Sequence, residues 1–143
     1  MKKTFYLLAS LVLFCCYSFA GIPPETVKKA FDQKFPNAAN VKWGKESAKE
    51  WEAEFVFNGN KVSANFNTDG TWLETESNIA ITDLPKTITE AVSVKYSGWT
   101  ITIAEKSETP GTIAVYELVI KKDKVKKELA FNEDGTPAKV TED

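Results

Sequence analysis

The sequence contains no histidine and no arginine, and its two cysteines are adjacent, at positions 15 and 16. It therefore offers neither the imidazole base used by many hydrolases nor the usual ligands of zinc and copper. It also has no glycine-rich phosphate loop and no serine in a G-x-S-x-G turn. These absences argue against most nucleophilic and metal-dependent catalysis, so we expect no enzyme activity, no catalytic residue, no metal and no cofactor.

Long hydrophobic runs are missing except at the N-terminus. Two lysines precede an apolar run from Phe5 to Phe19, and the small residues Ser18 and Ala20 suit a signal peptidase. This pattern predicts a signal peptide over residues 1–20. The run is shorter than the ~20 apolar residues that a spanning helix needs, so we expect no stable membrane insertion after its removal.

The position of the cysteines bears on how the exported chain is held. Phe14 precedes Cys15, and a lipoprotein signal instead places a small residue before the cysteine that takes lipid. A periplasmic or secreted protein is therefore favoured over a lipid-anchored one. Both cysteines would leave with the signal peptide, and a core of this size needs no disulfide.

Positive charge is also scarce. Removing Lys2 and Lys3 with the signal peptide changes the net charge from −2 to −4. An acidic chain lacks the basic footprint that nucleic acids require, and it is not attracted to anionic lipid. We therefore expect no nucleic-acid partner, and we expect a monomer.

The first half of the remaining chain reads as one helix followed by four strands. Apolar residues at spacings of three and four predict a helix over 24–35, begun by Pro24 and stopped by Pro36. Alternating apolar and polar residues then predict antiparallel strands, joined by turns at Asn58-Gly59 and at 68–70.

The same order appears a second time. Pro24, Val27 and Phe31 recur as Pro85, Ile88 and Val92, and the tripeptide Asp-Gly-Thr at 69–71 recurs at 134–136, followed by a last strand that reaches Val140. This predicts an α+β fold of two tandem units, each an N-terminal helix packed on a four-stranded antiparallel meander. The units span 21–77 and 84–143, with a linker at 78–83.

A sheet covered by a helix on one face leaves its other face free for binding. Strand alternation predicts that an exposed face binds a protein partner through these residues: Glu52, Glu54, Val56, Lys61, Trp72, Glu74, Glu117, Val119, Lys126 and Glu128. Trp72 is predicted to point outward, where it is either the aromatic anchor of that face or partly buried under a neighbouring loop. Trp43 and Trp51 are predicted in the core, and Trp99 between the two units.

Several segments together resemble a known family. They are the start Ile22-Pro23-Pro24-Glu25-Thr26-Val27, the helix end at 31–36, Val41-Lys42-Trp43, and the strand and turn at 66–72. The whole chain after the signal peptide resembles the PepSY-like proteins, small exported bacterial domains related in fold to the secreted β-lactamase-inhibitor protein. The resemblance implies a helix on a four-stranded sheet in each unit, and binding or inhibition through the exposed sheet face.

Three functions stay open at this point. The first is an exported protein-binding module that inhibits or modulates a periplasmic enzyme. The second is a carrier of a small molecule or envelope polymer, which requires a deep apolar pocket. The third is a hydrolase that uses carboxylates alone, which requires two close acids, one of them buried. The Asp-Gly turns faintly resemble calcium loops but lack the remaining ligands, so they are interpreted as hairpin turns.

Overall fold

The computed structural model of the chain describes residues 19–112 and 114–138. The predicted signal peptide, apart from Phe19–Ala20, and Val140 of the predicted last strand lie outside this part. Within it, two α-helices and eight strands occur in the order β1 (Phe19–Ala20), α1 (Glu25–Lys34), β2 (Ala39–Lys45), β3 (Glu50–Phe57), β4 (Asn60–Asn67), β5 (Trp72–Asn78), α2 (Lys86–Lys95), β6 (Thr100–Glu108), β7 (Val115–Lys122) and β8 (Val125–Asn132).

Both helices begin and end as their sequences predict. Pro24, with φ of −54°, directly precedes α1, and Val27 and Phe31 form its buried stripe. The Phe35 N–H closes the last turn on the Phe31 carbonyl at 2.8 Å, and Asn37 at φ 71° turns the chain away.

In α2, Pro85 stands before the first residue, and the Tyr96 N–H donates to the Val92 carbonyl at 2.8 Å. The two predicted helices are confirmed to within a residue at each end.

The strands form one antiparallel sheet in sequence order, and its tight turns confirm the predicted hairpins. Asn58 and Gly59 have φ of 50° and 85°, the two positive values that a type I′ turn requires. At the next turn, Gly70 has φ 90° and the Thr71 N–H donates to Asp69 Oδ1 at 2.8 Å.

The two predicted units share this sheet instead of having one each. β5 pairs with β6 over four residue pairs, from Thr75↔Glu108 to Asn78↔Glu105. The prediction of two separate four-stranded sheets is therefore wrong. The two halves form one sheet because β5 has an outer edge of unpaired backbone groups, and β6 pairs with these groups. Residues 78–83, predicted as a linker, include the end of β5 and a short 3-10 turn, Ile81–Asp83.

Within residues 19–112 and 114–138, the second half has fewer strands than the first. β6, β7 and β8 are three strands, and in the described residues the fourth is reduced to a bridge between Phe131 and Pro137. The Ala138 N–H also donates to the Ala130 carbonyl at 2.9 Å.

Both helices pack on the same face of the sheet, and each covers its own core cluster. Cluster 1 lies under α1 and contains Val27, Phe31, Phe35, Trp51, Ala53, Phe55, Val62, Ala64 and Phe66. Cluster 2 lies under α2 and contains Leu84, Ile88, Val92, Ala104, Tyr116, Leu118, Ile120 and Phe131. Trp51 belongs to cluster 1 and Trp43 packs against it, as predicted, whereas Trp99 packs against cluster 2 and not between the units.

Trp72 is the main error of orientation in the predicted site. A register shift between Asn65 and Phe66 places Trp72 opposite Phe66, which is fully buried on the helix face. The Trp72 ring packs against cluster 1, its centroid 3.4 Å from the Lys34 Nζ, and its indole N–H donates to Thr75 Oγ1 at 2.9 Å. The bulge breaks the alternation on which the outward prediction rested.

A second bulge reorients β6. Ile101 pairs with Ile120 and Ile103 with Val119, so Thr102 is left over. Beyond the bulge the buried residue is Ala104, while Ile103 is 42% exposed on the opposite face.

Candidate functional site on the open face of the sheet

The face of the sheet opposite the two helices is uncovered within residues 19–112 and 114–138; we call it the open face. Strand alternation and register place nine of the ten predicted site residues on it: Glu52, Glu54, Val56, Lys61, Glu74, Glu117, Val119, Lys126 and Glu128. Trp72, the tenth, lies on the helix face. The open face thus loses its predicted aromatic anchor and is dominated by carboxylates.

Five glutamates from four strands form an acidic belt across the middle of the open face. We define the belt as Glu52 of β3, Glu74 and Glu76 of β5, Glu105 of β6 and Glu117 of β7. The register brings them together: Glu52 and Glu74 both oppose Asn65, and Glu105 pairs directly with Glu117. The belt crosses the line where β5 pairs with β6, so it contains residues from both halves of the chain.

Glu76 is the most perturbed carboxyl of the belt. Its pKa is raised from 4.5 to about 7, first by burial between neighbouring side chains and then by repulsion from Glu74, Glu117, Glu105 and Glu52. Near neutral pH this side chain exchanges its proton easily, although it stands on an uncovered sheet face.

The pKa values of Glu52, Glu105 and Glu117 are raised as well. Burial raises the pKa of Glu52, with repulsion from Glu54 as the next cause, and burial alone raises the pKa of Glu105. The pKa of Glu117 is raised by burial and then by the Glu105 charge. A cation brought to the belt would therefore relieve repulsion that the free protein carries.

Few partners for the belt come from the chain itself. The Ser107 hydroxyl donates to Glu74 Oε1 at 2.6 Å. Among the described residues no lysine forms an ion pair with the belt; the ion pair that does occur joins Lys106 Nζ and Glu108 Oε1 at 3.0 Å. Lys106 pairs with the buried Tyr116, so it points to the helix face.

Sequence reasoning missed Glu76 and Glu105. Glu76 lies two residues after Glu74, and continued alternation along β5 would have placed it on the open face. Glu105 could not be placed in this way, because the bulge at Thr102 reverses the phase of β6.

In the part of the chain that the structure describes, no group of three or more acidic, Cys or His side chains is arranged so that it could hold a metal ion. No helix of that part has the length and hydropathy needed to cross a membrane.

Comparison with known proteins agrees with this architecture. The model of the PepSY-like family, described as β-lactamase-inhibitor-like, matches residues 49–138, which is more than half of the chain. The chain belongs to the PepSY-like family. No curated protein matches its sequence.

Solved structures similar to this PepSY-like chain come from Bacteroides species. A DUF2874 family protein from Bacteroides ovatus is 25% identical, with a TM-score of 0.73, 83% of this chain covered and 86% of that one. A BLIP-like protein from Bacteroides fragilis is 23% identical, with a TM-score of 0.72 and the same coverage. A protein provisionally assigned to the periplasm of Bacteroides eggerthii is 20% identical, with a TM-score of 0.73, 83% of this chain covered and 88% of that one. The α+β fold with an antiparallel sheet and two helices is thus shared.

Proposed function

We propose that this PepSY-like protein is an exported, non-enzymatic binding module that holds a protein partner on its open face. The observation that carries the proposal is the acidic belt, five carboxylates on an uncovered sheet face with no lysine partner among the described residues. Burial raises the pKa of four of them, Glu52, Glu76, Glu105 and Glu117. Charged groups at an interface select partners of complementary charge, so the expected partner presents lysine or arginine side chains to the belt.

Apolar contacts border the belt and would supply binding energy beside it. Val119 is 7% exposed, and Ile103, its cross-strand neighbour, is 42% exposed. Apolar and charged side chains lie side by side in protein interfaces as well. The inhibitor-like description of the family supports this reading, and export is supported by the signal-peptide pattern and by the provisional periplasmic assignment of one similar protein.

The experiment is affinity capture from an envelope extract of the source organism, with partners identified by mass spectrometry. The test variant carries Glu74→Gln, Glu76→Gln and Glu117→Gln. The matched control removes the same number of negative charges on the helix side of the molecule, through Glu25→Gln, Asp32→Asn and Glu90→Gln. We expect one or a few basic partners to be recovered with wild type and control and lost with the belt variant.

Recovery of abundant background proteins alone, or equal recovery by all three proteins, would overturn the proposal. If a captured partner is an enzyme, its activity is then measured with and without the PepSY-like protein, which tests the inhibitory role directly.

A carboxylate-only hydrolase is the second candidate, because Glu76 has the raised pKa that a general acid needs. The open face favours binding instead, because enzymes hold small substrates in a cleft or cavity and the belt lies on an uncovered sheet face. Loss of a measured glycosidase activity on Glu76→Gln substitution would reverse this preference. The carrier hypothesis gains no support from two cavities among the described residues, because both are grooves open to solvent, with volumes of about 420 and 150 Å³.

A further inference from the structure

The larger groove lies on the open face at its β2 end, outside the acidic belt. It has a volume of about 420 Å³, and its lining includes Asn40, Lys42, Glu54, Val56, Lys61 and Asn78. Two of these side chains are lysines, so the charge of the open face changes sign locally.

A bulge in β2 opens this groove. Ala39 pairs with Val56 and the next paired residue is Lys42, opposite Glu54, so two residues of β2, Asn40 and Val41, stand opposite the single residue Phe55 of β3. Asn40 takes φ 57°, which bends β2 away from its neighbour. Val56 is left half-buried at the floor.

Lys42 and Lys61 stand on either side of that floor. Lys61 is the cross-strand neighbour of Val56, and Lys42 lies two strands from Lys61 and two residues along the sheet. Strand spacings put the two Cα atoms about 12 Å apart. The four-carbon stems of two lysines span this separation, so both ammonium groups can meet one ligand over Val56.

Neither lysine is neutralised by the chain. Among the described residues neither forms an ion pair, although Glu54 lies between them. Two ammonium groups and one carboxylate give the groove a net charge of +1. This charge matches one carboxylate better than a doubly charged phosphate.

We propose, building on the proposed function, that this groove seats a single aspartate or glutamate side chain of the partner protein. The carboxylate lies between the Lys42 and Lys61 ammonium groups, and its methylene carbons rest on Val56. The partner surface therefore alternates in charge, with an acidic residue for the groove beside the cationic residues for the belt.

The groove can be tested without the partner. Acetyl-Ala-Glu-Ala-amide is titrated into the ¹⁵N-labelled mature protein and followed by amide chemical shifts, with acetyl-Ala-Gln-Ala-amide as the neutral probe. The test variant is Lys42→Gln with Lys61→Gln, and the matched control is Lys28→Gln with Lys29→Gln on the exposed side of α1. Unchanged melting temperatures establish that both variants are folded.

We expect saturable shifts clustered at the groove for the glutamate peptide alone, weakened at least fivefold by the groove variant and unchanged by the control. Equal shifts with the two peptides, equal weakening by the two variants, or no saturable shift at the groove would overturn the inference. Peptide binding at the groove with no partner captured from the envelope extract would contradict the proposed function and leave the groove standing. Partner capture without peptide binding would support the proposed function and contradict the inference about the groove.

Discussion

Individual side chains in this protein differ sharply in what they cost or contribute to folding, and Glu76 is the clearest case. Its pKa of about 7 in the folded state exceeds the ordinary value of 4.5. As the pH rises between these values, the unfolded chain loses its proton first, and the free energy of unfolding therefore falls. The penalty is absent below about pH 4.5 and complete above about pH 7.

Glu76→Gln removes this penalty. Because the carboxyl is partly solvated, we expect a gain of about 1–2 kcal/mol in the free energy of unfolding at pH 8 and none at pH 4.5. Urea melts at both pH values measure it, with Glu90→Gln on the exposed side of α2 as the control. A gain of equal size at both pH values would contradict the assigned cause.

Phe66 and Trp72 are paired across β4 and β5 but differ in burial. Phe66 is fully buried, so Phe66→Ala leaves a cavity and should cost about 3–5 kcal/mol. Trp72 is half-buried against cluster 1, and Trp72→Ala should cost about 1–3 kcal/mol through lost packing. Denaturant melts measure both, with the 85% exposed Val94→Ala as the control. A neutral Trp72→Ala would return this side chain to the open face.

At the scale of the element, two turns are held against helices by close backbone approach. A Cβ at Gly70 would lie 2.8 Å from the Thr26 carbonyl oxygen, and one at Gly135 would lie 2.6 Å from that of Thr87. The Thr26 hydroxyl also donates to the Thr68 carbonyl at 2.9 Å. Each Asp-Gly turn is thus docked on the first turn of its helix.

Alanine at these glycines should therefore be worse than alanine at Gly59. All three have positive φ, but a Cβ at Gly59 meets nothing within 4 Å. We expect Gly59→Ala to cost about 1–2 kcal/mol from backbone strain alone, and Gly70→Ala and Gly135→Ala to cost clearly more. Thermal melts of the three variants compare them; equal losses would mean that the docked turns move aside freely.

Elements with local signals could be predicted from the sequence, and those set by distant contacts could not. The helix stripes and the Asn58-Gly59 turn depend on residues a few positions apart. The bulges at Leu73 and Thr102 depend on how strands meet in three dimensions. Because of the first bulge, Trp72 lies on the helix face and not on the open face, and because of the second, Glu105 was missed. The acidic belt is assembled from four strands, so the pKa of Glu76 has no signature within β5 itself. The duplication of the chain stays a prediction.

At the scale of the whole molecule, the two core clusters share one sheet, and this has a consequence for unfolding. The β5–β6 ladder couples the halves, so we expect a single cooperative thermal transition. Phe66→Ala in cluster 1 and Leu118→Ala in cluster 2 should each lower the midpoint of that same transition. Calorimetry tests this, and two resolved transitions, each sensitive to one variant, would show that the halves melt independently.

Residues 21–143, the mature chain that the signal-peptide pattern predicts, lack cysteine and histidine, so the stability of that chain should not depend on redox state or transition metals. Melting curves with a chelator and with dithiothreitol should superimpose on the untreated curve. A fall of several degrees with chelator would reveal a metal site.

The ladder between β5 and β6 also affects how stiff the sheet is where its two halves join. It is a seam of four residue pairs, with Glu74 and Glu76 on one side and Glu105 and Glu117 on the other. Repulsion between these carboxylates weakens the pairing of β5 with β6, and the effect grows as more of the carboxyls ionise. A cation bound across the ladder cancels this repulsion. The stiffness of the sheet along this line is therefore set by the acidity of the compartment and by whatever the belt holds.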